Sequence, residues 1–228
     1  MKIAFATAAA ALAASAASAS VSTSFLDTDA DFVNVLNSGV TELWTAQGRI
    51  GNAALNGDQE FDLGFTSAAP TDQRQFTWQP GLPVPFDVSY DAGTDVLQFT
   101  GDGTPVMSLP SAGAATEVYI RLRATNQRPG LGIDISDIQI DIPSQSIANM
   151  PLPSIATDNI TLDGVEYLVI SGLAGQSFSL NGTVTLAYDA QNPPSGSNLA
   201  FQIKGAIPTP GTVGLVGFAG IAAARRKR

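Results

Sequence analysis

The chain has 228 residues, 44% of them hydrophobic, a formal net charge of −9, and neither cysteine nor histidine. Without cysteine it has no disulfides and no thiolate nucleophiles or metal ligands. Without histidine it lacks Ser-His-Asp and Cys-His arrangements, imidazole zinc ligands and the usual general base at neutral pH. The sequence therefore predicts a protein that is not an enzyme and has no metal or cofactor.

The first residues have the three parts of a secretory signal peptide. Lys2 supplies a positive start, residues 3–14 are apolar, and Ala17-Ser18-Ala19 matches an A-x-A cleavage site. We expect the secretion machinery to export the chain and signal peptidase to cut after Ala19, so that the mature protein begins at Ser20. An uncleaved N-terminal anchor is the alternative, but the apolar run is short and ends in small residues.

Acids dominate the part of the chain between the two ends. Lys2 and the four basic residues of the C-terminus account for five of the 11 bases and for none of the 20 acids, so residues 20–206 carry six bases, 20 acids and a net charge of −14. Such a surface repels nucleic acid and anionic lipid. We therefore expect no nucleic-acid partner. The length is that of one domain.

A first short strand is expected over residues 20–25, and a short helix follows it. Asp27, Asp29 and Asp31 fall at its start, where acids interact favourably with the helix dipole, and Gly39 fits the position just after its end. The spacing of the three aspartates also matches the first ligands of a calcium loop, but the glycine and glutamate that such a loop requires later are missing. We interpret them as helix-start acids, with a looser calcium site as the alternative.

From residue 42 onward, apolar and polar residues alternate in short runs bounded by turn residues. The clearest runs are 43–50, 60–65, 86–90, 96–100, 118–123 and 199–204, with a further candidate at 74–79. In the run 118–123, Arg121 and Arg123 are expected on the outer face. About eleven short strands with regular turn signals predict an all-β fold, a β-sandwich or jelly roll. No helical pattern alternates with the strands, which argues against a βαβ fold.

Three local patterns refine this prediction. The apolar phase of residues 133–142 shifts by one across Ser136-Asp137, which predicts a β-bulge there. Asp163-Gly164 predicts a hairpin turn between 160–162 and 165–170. Asn181-Gly182 predicts a second hairpin turn, between 178–180 and 184–188.

The C-terminus has a turn, an apolar run and a basic end. Pro208 and Pro210 each fix φ and remove a backbone donor, so residues 207–211 are expected to form an extended spacer rather than to continue a strand. Residues 213–224 carry no charge, but as a helix they cover only roughly 18 Å of a hydrocarbon core of about 30 Å. The four basic residues after them, Arg225, Arg226, Lys227 and Arg228, are expected to stay on the cytoplasmic side.

This three-part end resembles the PEP-CTERM sorting signal of bacterial exosortase substrates. Pro208, Thr209 and Pro210 fall on the Pro-Glu-Pro of that family and are followed by Gly211; Thr209 replaces the acidic residue. The resemblance implies that the tail holds the protein transiently in the inner membrane until an exosortase-type membrane transpeptidase removes it. It also implies a host that makes exopolysaccharide, a further candidate partner. The alternative is a plain C-terminal membrane anchor that is never cleaved.

The part of the chain before the tail resembles the ectodomains called choice-of-anchor domains, with type W as the subtype. Residues 178–186 and 198–204 are similar to the end of such a domain, and residues 49–51 and 57–61 to its opening motifs. The resemblance implies no enzymatic role.

Two groups of residues suggest other chemistry. Asp134, Asp137 and Asp141 form the densest acid cluster, and paired carboxylates can cut glycosidic bonds when they face each other across a cleft. The simpler interpretation is that they are solvated on the outer face. Four aromatic residues could stack on sugars, although aromatic residues of a sandwich are more often in the core. These four are Trp44, Trp78, Tyr90 and Tyr119.

The sequence thus predicts a signal peptide over 1–19, a β-sandwich ectodomain over 20–206, and a sorting tail over 207–228 with a short apolar helix. We expect an exported protein of the cell surface or extracellular matrix with a non-catalytic structural or interaction role. An extracellular carbohydrate-binding module is the first alternative. A glycoside hydrolase with a carboxylate pair is the second.

Overall fold

A computed structural model of the chain describes residues 20–50, 59–66, 68–125, 130–148, 150, 155–156, 164–194 and 196–208. The expected signal peptide and the tail from Thr209 onward lie outside the described residues. So do residues 157–163, which hold the first strand and most of the turn of the hairpin predicted at Asp163-Gly164.

The described residues form fourteen strands and one helix. In chain order these elements are β1 (Ser22–Leu26), α1 (Asp29–Asn37), β2 (Val40–Ile50), β3 (Gln59–Phe65), β4 (Asp72–Gln75), β5 (Pro83–Asp91), β6 (Val96–Gly101), β7 (Met107–Pro110), β8 (Glu117–Ala124), β9 (Gly132–Ile142), β10 (Gln145–Ile147), β11 (Ile155–Ala156), β12 (Gly164–Ser171), β13 (Phe178–Ala187) and β14 (Leu199–Pro208). The all-β prediction is confirmed, with more strands than the eleven or so expected. The candidate strand 74–79 is observed only in part, because β4 spans Asp72–Gln75.

The strands form two antiparallel sheets. The first has the order β1-β12-β8-β14-β2-β3-β4, and the second has the order β10-β9-β13-β5-β6-β7, with β11 beside β9. Alternate residues of both sheets point into one shared apolar core, as the period of two in a strand requires. The last strand of the described residues, β14, lies in the middle of the first sheet, between β8 and β2.

Helix α1 packs on the outer face of the first sheet. Its N-cap is Thr28, whose hydroxyl accepts a hydrogen bond from the backbone N–H of Asp31 at 3.1 Å. Phe32 of the helix is buried and contacts the rings of Tyr119 and Tyr167, each at a centroid distance of 5.0 Å. The prediction of a helix with acids in its first turn and Gly39 after its end is therefore confirmed, since Gly39 has a φ of +101°.

The β-bulge predicted at Ser136-Asp137 is confirmed within the continuous strand β9. Asp137 has a φ of +55°, and the pairing of β9 with β13 shifts register between Asn181 and Thr183. The isoleucines on both sides of the bulge are buried, as the phase shift required.

The hairpin turn predicted at Asn181-Gly182 is wrong. β13 is one strand through both residues, and its buried positions alternate without interruption from Phe178 to Leu186. Gly182 is needed there because a Cβ atom would lie 2.5 Å from Cδ1 of Ile138 and 3.0 Å from Cζ of Phe86. The glycine makes room for the core rather than for a turn.

The prediction that residues 207–211 do not continue a strand is wrong for its first two residues. β14 pairs Ile207 with Thr41 and Pro208 with Val40, whereas its pairing with β8 ends at Ala206. Proline is compatible with this position because only one neighbour remains at the end of the strand. Thr209, Pro210 and Gly211 lie outside the described residues.

Candidate functional site

A row of polar side chains crosses the outer face of the first sheet. Six adjacent strands each contribute one residue, and each residue is the register partner of the next. We call this set the polar row; it consists of Tyr167, Arg121, Gln202, Gln47, Asp62 and Gln73. Directly opposite residues in antiparallel strands are close enough for their side chains to interact.

Hydrogen bonds connect most of the polar row side to side. Nη1 of Arg121 donates to Oε1 of Gln202 at 3.3 Å, and Nε2 of Gln202 donates to Oε1 of Gln47 at 2.7 Å. Nε2 of Gln47 donates to Oδ2 of Asp62 at 2.6 Å. From the edge of the sheet, Nε2 of Gln73 donates to Oδ1 of Asp62 at 2.5 Å. The donors therefore converge on the carboxylate of Asp62 from both sides.

Asp62 is a buried carboxylate with an adjacent cation. The residue is only 2% exposed, and one of its oxygens lies 2.9 Å from Nη2 of Arg49. Arg49 also forms an ion pair with Glu60, which is 3% exposed and lies on the same face of β3. A buried carboxylate is tolerated only when charge and hydrogen bonds compensate its lost hydration. The guanidinium and the two amides provide this compensation for Asp62.

The other end of the polar row is attached to helix α1. Arg121 donates from Nε and Nη2 to the two oxygens of Asp29, at 2.8 and 2.6 Å, and the Tyr167 hydroxyl donates to the same carboxylate at 2.5 Å. Arg121 lies on the outer face, as the alternation predicts, but the helix covers it and leaves it 8% exposed. Asp29 is thus an ion-pair partner of Arg121.

These contacts shift the titration of both groups. Burial by itself would raise the pKa of Asp29, but the hydrogen bonds from Arg121 and Tyr167 and the positive charge of Arg121 outweigh it, so the pKa is lowered. Burial and the adjacent carboxylate of Asp29 raise the pKa of the Tyr167 hydroxyl, which therefore remains a donor.

Protonation of Asp29 is expected to weaken the attachment of the helix. Because the folded-state pKa lies below the unfolded value, the contribution of Asp29 to stability is present above about pH 4 and disappears as the pH falls through the lowered folded value. Because the Asp29 side chain is 53% exposed and solvent screens its ion pair, Asp29→Asn should lower the free energy of unfolding by only about 0.5–1 kcal/mol at pH 7. The difference from the parent should shrink toward pH 2.

Urea unfolding of both proteins between pH 2 and 7 measures this effect. Asp102→Asn is the matched control, because Asp102 is exposed on a turn of the second sheet. A difference between Asp29→Asn and the parent that stays constant over this pH range would contradict the prediction.

Four residues of the polar row, Gln202, Gln47, Asp62 and Gln73, line a groove of about 320 Å³. Its floor is formed by side chains of β14, β2, β3 and β4, and one wall is formed by Phe65, Thr66, Ala68 and Pro70; we call it the outer groove. A bulge between β2 and β14 puts Glu42 and Thr45 on the same face. Glu42 accepts hydrogen bonds from Thr45 at 2.7 Å and from Lys204 at 2.8 Å.

The aromatic residues considered as a sugar platform are all buried. Trp44, Trp78, Tyr90 and Tyr119 are between 0 and 4% exposed and belong to the two apolar clusters. Burial, followed by the adjacent Asp95, raises the pKa of Tyr90 to about 12. The interpretation of these four residues as core is confirmed, so they cannot stack on a surface ligand.

The acid cluster lies away from the outer groove. Asp134, Asp137 and Asp141 are on β9, in the second sheet, and Asp141 accepts a hydrogen bond from Gln139 at 2.8 Å. Burial raises the pKa of two other carboxyl groups, Asp87 and Glu166, but these lie on β5 and β12, in different sheets.

The sorting residues are mostly outside the part of the chain that the structure describes. Pro208 ends β14, and Ser20, the expected mature N-terminus, is exposed. Thr209, Pro210, Gly211, the basic block from Arg225 to Arg228, Ala17 and Ala19 are not described. The polar row has no signal in the sequence, because Gln47, Gln73 and Gln202 lie far apart in the chain and only the strand register brings them together.

Among the described residues, no three acidic side chains are grouped in a way that could hold a metal ion. The described part of the chain also contains no helix with the length and apolar character needed to span a membrane. Protein-family models give no match to the sequence, and comparison with curated proteins gives no significant match.

Proposed function

We propose that this chain is an exported bacterial protein of the cell surface or extracellular matrix, with a structural or interaction role rather than a catalytic one. In this proposal a β-sandwich ectodomain lies between a cleaved signal peptide and a PEP-CTERM-like tail with a short apolar helix. The tail holds the protein transiently in the inner membrane until an exosortase-type transpeptidase removes it.

The observation that carries the proposal is the position of the last strand. β14 is paired with β8 and β2, and it ends at Pro208, the first residue of the motif Pro208-Thr209-Pro210. The motif therefore begins at the last residue of a central strand, without a long linker. An attachment made at this point transmits load to two neighbouring strands, which suits a domain displayed on a surface.

The N-terminal side supports the same organisation. The expected first mature residue, Ser20, packs against the chain at Gly172, where a Cβ atom would lie 2.5 Å from the Ser20 carbonyl oxygen. Two residues later β1 begins and pairs with β12. The predicted signal-peptidase site thus lies immediately before the folded domain.

The acids of the outer groove favour a non-catalytic role. The carboxylate of Glu42 accepts hydrogen bonds from Lys204 and Thr45, and that of Asp62 accepts them from two glutamines beside Arg49. A carboxylate-pair hydrolase needs one carboxyl group that can deliver a proton to the leaving group. Both groove carboxylates act as hydrogen-bond acceptors in ion-paired networks, an arrangement that stabilises structure.

Two tail variants test the proposal in the native host. Replacing residues 225–228 by serine removes charges that each oppose membrane transfer by roughly 2.5–3.5 kcal/mol at the membrane centre. The precursor should then pass through the membrane and appear outside with its tail intact. Pro208→Ala combined with Pro210→Ala should leave the basic block of residues 225–228 intact, so that the tail still stops in the membrane. The recognition segment would be lost, so uncleaved protein should accumulate in the inner membrane.

Cell fractionation and immunoblotting with an antibody against the ectodomain distinguish these fates. A matched control is Pro83→Ala, which changes an exposed proline at the start of β5 and leaves the tail unchanged. If both tail variants are processed and localised like the parent, the tail is not a sorting signal and the proposal is wrong.

A further inference from the structure

We propose that the outer groove binds a neutral, hydroxyl-rich saccharide. The inference deepens the proposed function, on which it rests for the location of the domain outside the cell. It assigns a ligand class to the face of the first sheet that helix α1 leaves open.

The hydrogen-bonding capacity of the outer groove matches hydroxyl groups. A hydroxyl both donates and accepts, whereas a primary amide has two N–H donors and one carbonyl acceptor. Among the described residues, the polar row takes up one N–H of Gln47 and one of Gln202. Each amide therefore keeps a second N–H donor, and both line the groove. The hydroxyl of Thr45 lies on the same floor.

The charges of the outer groove favour a neutral ligand. Two acids and two bases line it, and they are paired within the protein: Asp62 with Arg49, and Glu42 with Lys204. A charged ligand would have to compete with one of these pairs and leave the other partner uncompensated in a partly buried site. A neutral polyhydroxyl ligand can bond to the same side chains without separating them.

The outer groove is also held in one shape before any ligand binds. Its glutamines are fixed by the polar row, and the ammonium group of Lys204 is fixed by Glu42 and lies 5.5 Å from the ring of Phe32. Gly64 lets the wall approach the floor, because a Cβ atom there would lie 3.0 Å from Cα of Pro70 and from the backbone nitrogen of Thr71. Such preorganisation reduces the entropy lost on binding.

Titration calorimetry of the full chain, purified in a sugar-free detergent, tests the inference. The probes are the neutral oligosaccharides cellohexaose, maltohexaose and mannohexaose, with an oligogalacturonate as the charged comparison. At least one neutral probe should bind at millimolar concentration or below, and more tightly than the charged one. Gln202→Ala should weaken that binding about tenfold, since it removes hydrogen bonds at the centre of the floor.

Thr66→Ala is the second variant, because Thr66 is exposed on the wall and outside the polar row, so its loss should weaken binding about threefold without affecting folding. The matched control is Gln98→Ala, an exposed glutamine on the outer face of the second sheet, which should leave binding unchanged. Absence of binding to all three neutral probes, tighter binding of the charged one, or equal binding by the parent and both groove variants would each overturn the inference.

The binding result is independent of the sorting experiments. Calorimetry uses purified protein, so its failure would remove the saccharide site and leave the proposed export and tail processing intact. Conversely, a tail that is not processed would leave a measured affinity valid.

Discussion

Replacing Phe61 by alanine is expected to lower the free energy of unfolding by about 3–5 kcal/mol, the range typical of a large aromatic removed from a core. Phe61 is fully buried on β3, and its ring lies within 5.1–6.4 Å, centroid to centroid, of the rings of Phe76, Trp78, Phe99 and Phe201. It contacts both sheets, so the cavity would open between them.

Two glycines show how closely the core fits this ring. A Cβ atom at Gly101 would lie 2.2 Å from Cζ of Phe61, and one at Gly48 would lie 2.8 Å from Cε1. The backbone surrounds the ring on two sides and cannot collapse easily into the space that alanine would leave. Because of this rigidity, we expect Phe61→Ala to lower the free energy of unfolding by an amount in the upper half of the range of about 3–5 kcal/mol.

Urea unfolding followed by tryptophan fluorescence measures the loss. Phe65→Ala is the matched control, because Phe65 is on the same strand but 38% exposed, and it should lower the free energy of unfolding by about 1 kcal/mol or less. Equal effects of the two substitutions would contradict the assignment of Phe61 to the centre of the core.

The second large effect is expected from Asp62→Ala, on the opposite face of the same strand. The substitution removes a buried acceptor on which Gln47, Gln73 and Arg49 converge. The two amide donors would then lack their acceptor, and Arg49 would lose one of its two carboxylates. Removing one partner of a buried pair typically costs about 3–5 kcal/mol. Arg49 keeps Glu60 as a partner, so the lower end of that range is expected.

Asp62→Asn separates charge from hydrogen bonding. Asparagine keeps one acceptor oxygen but loses the ion pair. Asp62→Asn should therefore lower the free energy of unfolding, but by less than Asp62→Ala does. In a double-mutant cycle with Arg49→Ala, Asp62→Ala should show a coupling energy above about 1 kcal/mol. If Asp62→Ala changes stability by less than about 0.5 kcal/mol, the polar row is not a buried network.

The strands were predictable wherever one face of a strand meets the core. The run that became β5 alternates Phe86, Val88 and Tyr90 with polar residues, and the bulge of β9 was visible because the isoleucine phase shifts at Asp137. In these segments, the alternation of buried and exposed positions is visible directly as an alternation of apolar and polar residues in the sequence. The helix start was predictable for a similar reason, since caps and first-turn acids are local features.

The predictions that were wrong or incomplete have a common physical cause. In each case the structure is determined by contacts between segments that are distant in the sequence. Asn181-Gly182 has the local signal of a turn, but Gly182 is required by the approach of Ile138 and Phe86. The outer-face prediction for Arg121 was correct, but the alternation did not show that helix α1 covers this residue and supplies Asp29. A sequence pattern reports which face a residue occupies, and it does not report what covers that face.

The polar row could not have been predicted for the same reason. Gln47, Gln73 and Gln202 are separated by up to 155 residues, and each by itself is an ordinary polar residue of a strand. Their significance comes from the register of β14, β2, β3 and β4. The sequence predicted an all-β fold, but it did not predict which residues of neighbouring strands are paired.

The fold links the outer groove to the proposed point of attachment. β14 contributes Gln202 and Lys204 to the groove and ends at Pro208, four residues beyond Lys204. If the tail is removed at the Pro208-Thr209-Pro210 motif, as proposed, the groove lies on the strand that leads directly to the new C-terminus. A saccharide held there would therefore lie close to the new C-terminus.

The most direct test of the central claim is the intact mass of the protein recovered from the cell surface or medium of its host. The account predicts a chain that begins at Ser20 or within a few residues of it and lacks both the apolar run 213–224 and the basic block Arg225–Arg228. A surface-recovered chain that still contains Lys2, or that ends at Arg228, would contradict export and sorting by these two signals.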